Sequence, residues 1–280
     1  MTAVLAPGTV VGAYRLIAPL GRGGMGGVWE VENGAGHRYA LKSPASAVDP
    51  DLTKRFAREA NALRLLDHPN LVASVDVFAE AGTLYLVMEH VRGRTLAAAI
   101  VDGPLHPRLA LVFVRQLLEG VGHAHALGLV HRDLKPDNIM LVDMGGWERA
   151  KILDFGLVKL LGDAEAAIGG AKLTRTGIVS GTPAYMSPEQ ALGRIVDARS
   201  DLYSIGVILY ELLLGKVPFD HPEVQIVMRM HVKAPVPPAD LPPELAALVV
   251  GALAKDPAHR FATSASMIAA LDHAFDALQT

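Results

Sequence analysis

The sequence predicts an α+β protein of two lobes, a small antiparallel β-sheet lobe with one helix and a larger, mostly α-helical lobe. In the first 90 or so residues, apolar positions alternate and short runs rich in Gly or Asn separate them, which is typical of strands joined by tight turns. Later apolar residues recur three and four positions apart, which is typical of amphipathic helices. We place the small lobe at residues 10–88, a connector at 89–93 and the large lobe at 94–275, with a ligand expected in the cleft between the lobes.

The composition indicates a soluble globular protein of a reducing compartment. Apolar residues make up 51% of the 280 positions and charged residues 20%, which predicts a packed core and excludes global disorder. The net charge of −3 argues against a nucleic-acid or membrane-surface footprint. The absence of cysteine excludes disulfide scaffolds, thiolate zinc sites and a cysteine nucleophile. We find neither an apolar run of the ~18–20 residues that cross a bilayer nor the basic start of a secretory signal.

The small lobe is predicted to contain a meander of strands, one helix and a further strand pair. The strands are expected at residues 11–18, 28–31, 39–42, 71–78 and 83–88, with a turn at Asn33-Gly34. Residues 51–66 have apolar positions three and four apart, which predicts an amphipathic helix with Glu59 beside its apolar stripe.

The large lobe is predicted to contain several long helices and a short strand. The helices are expected at residues 108–127, 200–214, 222–232, 243–254 and 265–278, and the strand at 139–142. Residues 162–180 are small, polar and rich in Gly and Thr, which favours a mobile loop, and the proline-rich residues 234–243 form a connector between helices.

Gly21, Gly23 and Gly26 form a G-x-G-x-x-G pattern, which is a weak signal by itself. Dinucleotide-binding proteins share it, but they need a helix directly after the last glycine so that its N-terminus meets the pyrophosphate. Here the alternating residues 28–31 predict a strand. The glycines then permit a backbone flap that closes over phosphates, and the alternative is an ordinary glycine-rich hairpin.

Lys42 ends an apolar strand, and Glu59 lies 17 residues later on the predicted helix. A lone lysine at such a position is usually a surface residue. A carboxylate on a helix that packs against the sheet would instead hold the ammonium group in a defined place, and we favour this pairing.

Residues 131–138, with the sequence HRDLKPDN, are the strongest signal in the chain. Asp133 could accept a hydroxyl proton, and Lys135 could neutralise a phosphate. Asn138 and Asp154, the latter in the triplet Asp-Phe-Gly, offer hard oxygen ligands that suit Mg²⁺ shared with phosphate oxygens.

With these motifs the chain resembles a Hanks-type protein kinase, most similar to the eukaryotic-like serine/threonine kinases of bacteria. The resemblance extends from about Tyr14 to Leu271. It implies the bilobal kinase fold, with the helix at 51–66 as its regulatory helix. It implies transfer of the ATP γ-phosphate to serine and threonine hydroxyls of proteins, with Mg²⁺ as cofactor and Mn²⁺ as a substitute.

The resemblance also implies a role for each residue of the motifs. Lys42 contacts the α- and β-phosphates and pairs with Glu59. Asp133 is the catalytic base, and Lys135 approaches the transferred phosphate. Asn138 and Asp154 hold the metal. The residues around the nucleotide are Gly21, Gly23, Gly26, Val28, Ala40, Lys42, Met88, Glu89, Val91, Asn138 and Asp154.

Regulation is implied at the activation segment, whose end residues 181–189 resemble. Arg132 would meet a phosphate there, and Thr174 and Thr176 resemble the paired threonines that related bacterial kinases autophosphorylate through self-association. Thr182 is a further hydroxyl, and together with Lys135 it is typical of serine/threonine kinases. The implied location is cytoplasmic, and no nucleic-acid or membrane contact is expected for this chain. A segment outside this chain can anchor the parent protein in a membrane.

Two structural contacts and one sequence difference follow from the same resemblance. Asp201 braces the 131–138 loop, and Glu189 pairs with Arg260 in a buried ion pair. Ser187 stands where the family usually has alanine, and we expect this difference to touch nothing chemical.

Three other functions share parts of these motifs. A pseudokinase or scaffold would lack Lys42, Asp133 or Asp154, and all three are present. A small-molecule phosphotransferase of the aminoglycoside or choline kinase kind shares the catalytic Asp and Asn, but residues 181–189 favour a peptide platform. A non-enzymatic nucleotide sensor cannot be distinguished from a kinase by its motifs. A zinc site built from the 11 histidines is disfavoured.

Overall fold

The computed structural model describes residues 5–23, 26–44, 64–153 and 183–278. These residues form two compact units, one made of the described residues up to Arg92 and the other of those from Gly93 onward. The first is built on a β-sheet and the second is mostly helical, which confirms the predicted α+β class. Most of the predicted helix at 51–66 and all of the predicted loop at 162–180 lie outside the described residues.

The first unit contains a six-stranded sheet in the order β1-β2-β3-β4-β6-β5, in which all neighbours are antiparallel. The strands are β1 (Val10–Val11), β2 (Tyr14–Gly23), β3 (Gly26–Asn33), β4 (Arg38–Pro44), β5 (Ser74–Glu80) and β6 (Thr83–Glu89). The turn between β5 and β6 places Ala81 and Gly82 at φ values of 48° and 74°, as a two-residue hairpin with a matching twist requires. Strand β5 begins at Ser74, three residues after the predicted start at residue 71, and Leu71 is buried outside the strand.

The turn predicted at Asn33-Gly34 is a longer loop of residues 34–37. The Asn33 side-chain oxygen accepts hydrogen bonds of 3.0 Å from the backbone N–H groups of Ala35 and His37. Gly36, with φ of 80°, supplies the left-handed residue of the loop. The asparagine therefore organises the loop through its side chain as well as through its backbone.

The strand register divides the sheet into two faces. Leu41 pairs with Trp29 on β3 and with Val87 on β6, and residues directly opposite each other lie on the same face. This face carries the buried apolar cluster of the unit, which consists of Val11, Tyr14, Leu16, Trp29, Val31, Leu41, Tyr85 and Val87. Because side chains alternate along a strand, Ala40 and Lys42 lie on the opposite face.

The second unit combines a small sheet with helices. Its strands β7 (Arg94–Thr95), β8 (Ile139–Asp143) and β9 (Glu148–Ile152) pair in that order. Its helices in the described ranges are α1 (Leu96–Ala99), α2 (Pro107–Ala126), α3 (Pro188–Ala191), α4 (Ala198–Leu214), α5 (Val224–Lys233), α6 (Pro243–Ala252) and α7 (Ser264–Ala277). The longer helices lie close to their predicted positions, whereas α1 and α3 are too short to produce a periodic pattern.

Helix α4 is the core of the second unit. It packs against α2 and α6, and its side chains are buried from Ser200 to Tyr210. Asp197 caps its first turn through a side-chain oxygen, and Gly215 at φ of 71° ends it. None of the helices described above combines the length and the apolar character that crossing a bilayer requires.

Gly93 lies directly before β7, where the chain passes very close to β8. A Cβ atom at this position would lie 2.1 Å from the carbonyl oxygen of Leu141, a backbone atom that cannot move aside cheaply. We expect Gly93→Ala to lower the free energy of unfolding by about 1–3 kcal/mol through this overlap. Urea denaturation measures the change. Gly34→Ala, with no atom within 4 Å of its added Cβ, is the control, and equal midpoints for both variants would contradict the prediction.

Candidate active site

Four of the residues predicted to surround a nucleotide lie on one face of the first unit's sheet. Lys42 pairs with Val28 on β3 and with Leu86 on β6, and Ala40 pairs with Met88. Val28, Ala40, Lys42 and Met88 are therefore together on the face opposite the apolar cluster. The lysine therefore lies between two apolar residues on neighbouring strands, opposite the middle of β6.

The glycine pattern forms a hairpin. Gly21 pairs with Val28 and Gly23 pairs with Gly26, so the first two glycines lie on β2 and the third begins β3. A strand rather than a helix follows the last glycine, as predicted. This excludes the dinucleotide arrangement, which needs a helix N-terminus at that place.

The connector begins at the end of β6. The Glu89 N–H donates a 3.0 Å hydrogen bond to the carbonyl oxygen of Ala73, which fixes the end of the strand. Val91 follows as irregular, half-buried chain.

In the second unit, Asp201 holds the beginning of the 131–138 loop. One of its carboxylate oxygens accepts the N–H of His131 and the other accepts the N–H of Arg132, each at 2.8 Å. Nε2 of His125 lies 2.8 Å from the same carboxylate. Arg132 has φ of 66°, a left-handed conformation that is unfavourable for a residue with a Cβ, so these contacts stabilise a strained backbone. The predicted bracing role of Asp201 is confirmed.

His131 is a buried structural residue of this loop. Its Nε2 lies 2.7 Å from the carbonyl oxygen of Leu153, and its Nδ1 lies 3.2 Å from the N–H of Asp133. Since a carbonyl can only accept and an N–H can only donate, Nε2 carries the proton and Nδ1 is the acceptor. Both ring nitrogens are thus engaged by backbone groups, and the side chain is fully buried.

Asp133 and Asn138 are brought together by a short turn. Pro136–Asn138 forms a 3₁₀ turn, in which the Asn138 N–H donates to the carbonyl oxygen of Lys135 at 2.9 Å. Nδ2 of Asn138 donates to the Asp133 backbone oxygen at 2.9 Å and to its Oδ2 at 3.3 Å. With its amide nitrogen directed at Asp133, Asn138 has its Oδ1 on the other side of the carboxamide.

A buried ion pair supports this region. Nη1 and Nη2 of Arg260 donate to the two carboxylate oxygens of Glu189 at 2.8 and 2.7 Å, and Ser200 also donates to Glu189. Burial alone would raise the pKa of Glu189, but the hydrogen bonds from Arg260 and Ser200 lower it below its ordinary value. The predicted pair is therefore confirmed, with the carboxylate ionised.

Residues 183–189 are anchored on α4. The Tyr185 hydroxyl donates to Glu211 at 2.7 Å, and Ser204 donates to the backbone oxygen of Tyr185 at 2.8 Å. Burial raises the pKa of Glu211, against the opposing effect of the Tyr185 hydrogen bond. Side chains of the core helix thus hold this segment, in which residues 183–186 are half-buried and residues 187–189 are buried.

Two contributing residues were missed by the sequence reasoning. His125 is one of the 11 histidines for which only a disfavoured zinc site was weighed, yet it contacts Asp201. Gln190 donates to the backbone oxygen of Arg132 at 2.7 Å. The S-x-x-Q pattern of Ser187 and Gln190 signals a helix N-terminus, which could have located α3, but not the contact across 58 residues.

Several predicted residues lie outside the described ranges. They are Glu59, Asp154, Thr174, Thr176 and Thr182. The pairing of Lys42 with Glu59 and the joint placement of Asn138 with Asp154 therefore stay predictions. Among the residues that the structure describes, no three His, Asp or Glu side chains converge as a metal site.

Comparison with known proteins identifies relatives over nearly the whole chain. The family profile described as protein kinase domain matches residues 14–275. The chain is 37% identical to the serine/threonine-protein kinase PrkC of Bacillus subtilis over 277 residues, which are 96% of this chain and 41% of the relative. It is 42% identical to PknA of Mycobacterium tuberculosis over 265 residues, which are 90% of this chain and 59% of the relative.

The chain therefore spans between two fifths and three fifths of the length of these two relatives. Among solved structures, the kinase domain of Mycobacterium tuberculosis PknI is similar with a TM-score of 0.72 and 26% identity. That similarity covers 97% of this chain and 100% of the crystallised one.

Proposed function

The chain belongs to the protein kinase family, and from that premise we propose that it transfers the γ-phosphate of ATP to serine and threonine hydroxyls of proteins. The observation that carries the proposal is the geometry of the 131–138 loop. Asp133 and Asn138 lie within hydrogen-bonding distance of each other on a loop that Asp201 and His131 hold in one conformation. Phosphoryl transfer depends mainly on such positioning.

In the proposed reaction Asp133 accepts the proton of the attacking hydroxyl. Its carboxylate is half-buried, so it is screened from bulk water on one side while a substrate can still reach it. Lys135, two residues later, would meet the charge of the transferred phosphate. A positioned base typically contributes about 10²–10⁴-fold to the rate.

The described residues fit a magnesium ion at Asn138. Mg²⁺ prefers oxygen ligands, and the amide nitrogen of Asn138 is occupied by Asp133, which directs Oδ1 toward a ligand. Asp154 would be the second protein ligand. The bound ion would neutralise charge on the phosphate oxygens, as it does generally in phosphoryl transfer.

The sheet of the first unit supports the proposal of a nucleotide site. A purine needs an apolar, shape-matched surface, and Val28, Ala40 and Met88 offer one on the sheet face that also carries Lys42. Backbone groups at Glu89 and Val91 would bind the adenine edge. The Gly21–Gly26 hairpin would cover the phosphates with backbone rather than with side chains.

A protein is the favoured phosphate acceptor. The anchoring of Tyr185 by Glu211 and Ser204 gives residues 183–189 a fixed surface, which suits an extended peptide better than a small alcohol. The names of the bacterial relatives point the same way. A cytoplasmic location is part of the proposal, because ATP is supplied there.

We include autophosphorylation of Thr174 and Thr176 in the proposal. Arg132 directly precedes the catalytic base, and a phosphothreonine adds nearly two negative charges that a guanidinium can bind. Modification between two copies of the chain would need transient self-association. Mass spectrometry after incubation with ATP would locate the phosphates, and their complete absence from these threonines would contradict this part.

The decisive experiment incubates the chain with ATP, Mg²⁺ and a generic basic protein, with Lys42→Met as its matched variant. We expect labelled protein from the wild-type chain and a loss of at least about 10²-fold in the variant, because misplaced phosphates lose their alignment with the hydroxyl. Nucleotide binding without any transfer would favour a pseudokinase or sensor. Transfer to small alcohols alone would favour the small-molecule phosphotransferase.

A further inference from the structure

We propose that Gln190 is a positioning residue for phosphotransfer, because its carboxamide holds the peptide group that joins Arg132 to Asp133. The inference rests on the proposed function, in which Asp133 is the base. It assigns to α3 a direct part in orienting that base.

The contacts of Gln190 form a bridge. Its Nε2 donates to the Arg132 backbone oxygen at 2.7 Å, while its Oε1 accepts from the N–H of Ser187 at 3.0 Å and from the Ser187 hydroxyl at 3.2 Å. The backbone partners identify which carboxamide atom is the nitrogen and which is the oxygen, since a carbonyl can only accept and an N–H can only donate. Gln190 therefore links the segment before α3 to the loop that carries Asp133.

The peptide group that it reaches is fixed at both ends. Its carbonyl belongs to Arg132 and receives Gln190, and its N–H belongs to Asp133 and donates to Nδ1 of His131 at 3.2 Å. Rotation of this peptide plane would swing the Cα–Cβ bond of Asp133 and with it the carboxylate. The same plane follows a residue with φ of 66°, where the backbone would otherwise relax toward a commoner conformation.

The side chain of Gln190 is itself held in place by hydrogen bonds. Ser187 and Gln190 form a reciprocal capping box at the start of α3, and Ser187 is fully buried. The adjacent Glu189 is held by Arg260. Ser187 contacts Gln190 through its backbone N–H and its hydroxyl, and these contacts orient the side chain that reaches the 131–138 loop.

Gln190→Glu tests the bridge most sharply. The new side chain has the same shape and can still accept from Ser187, but an ionised carboxylate has no donor for the Arg132 carbonyl and repels it. We expect kcat to fall about tenfold while KM for ATP changes less than about twofold, because the base is displaced and the nucleotide site is not. In this variant the ratio of its kcat to that of the wild type should rise as pH falls toward 5, since a protonated carboxyl can donate again.

A second variant and a matched control accompany it. Gln190→Met removes the donor without adding charge and should lower kcat similarly, with no recovery at low pH. Gln116→Glu is the control, because Gln116 also bridges a helix to backbone, accepting from the Ala150 N–H at 2.7 Å, but on β9 rather than on the loop. Its kcat and pH profile should match the wild type.

Hydrogen exchange of the peptide that spans residues 131–135 provides a readout independent of turnover. It should be faster in both Gln190 variants than in the wild type, with unchanged exchange in α4. Unchanged exchange at 131–135, or faster exchange with wild-type kcat, would overturn the inference. A wild-type chain without phosphotransfer would contradict the proposed function instead, and the exchange comparison would still decide whether Gln190 holds this peptide.

Discussion

Asp133→Asn is expected to reduce phosphotransfer by about 10²–10⁴-fold while nucleotide binding persists. The asparagine keeps the shape of the side chain, and its oxygen can still accept from Nδ2 of Asn138, which now lies 3.3 Å from the Asp133 carboxylate. What is lost is the basicity that removes the hydroxyl proton. Turnover is measured with labelled ATP, and binding is measured by titration with a fluorescent nucleotide.

Asp143→Asn is a suitable control for that measurement. Asp143 ends β8 and is exposed, and its carboxylate accepts only a local hydrogen bond from the Gly145 N–H among the contacts that the structure gives. It should retain full turnover. Wild-type turnover in Asp133→Asn would remove Asp133 from the role of base, and a parallel loss of binding would mean that the substitution disturbs the nucleotide site.

Arg260→Met is expected to lower the free energy of unfolding by about 3–5 kcal/mol, the usual cost of leaving one member of a buried ion pair alone. All five guanidinium N–H donors have acceptors in this structure. Two bind Glu189, and the other three bind the backbone oxygens of Arg199, Ala254 and Lys255 at 3.1, 2.8 and 3.1 Å. The substitution therefore also removes a donor from three carbonyls at once.

Arg115→Met provides the comparison, because Arg115 forms its ion pairs at the surface. Its side chain is 42% exposed, whereas that of Arg260 is 0% exposed. Exposed pairs are worth at most about 1 kcal/mol, so urea denaturation should separate the two variants clearly. Similar midpoints would mean that the buried pair contributes little.

The same pair makes a pH-dependent contribution. The folded-state pKa of Glu189 lies below its ordinary value of 4.5, so the contribution is fully present above that pH. It is lost as the pH falls through the lower folded-state value. Arg260→Met should remove this part of the acid dependence.

The parts of the site that lie close together in sequence were predictable. Residues 131–138 place the proposed base, a cation and the proposed oxygen ligand on one loop, and the alternation after the third glycine correctly predicted a strand. The two faces of the first sheet follow from the same alternation once the register is known. Short sequence separation makes such features readable, because the residues that form them are neighbours along the chain.

The connections between distant segments were not predictable from the residues. Gln190 reaches Arg132 across 58 positions, and His125 reaches Asp201 across 76. Both contacts depend on how α2, α3 and α4 pack, and a single polar side chain gives no periodic signal of its partner. The Glu189–Arg260 pair was expected only because the chain resembles a known family.

The left-handed backbone of Arg132 places a residue that has a Cβ in a conformation that suits glycine. Glycine would adopt φ of 66° without the strain of about 1–2 kcal/mol that a Cβ brings. An arginine is therefore a poor choice for the chain conformation by itself. The hydrogen bonds that Asp201 and Gln190 form with the backbone of Arg132 therefore offset a local conformational penalty directly before Asp133.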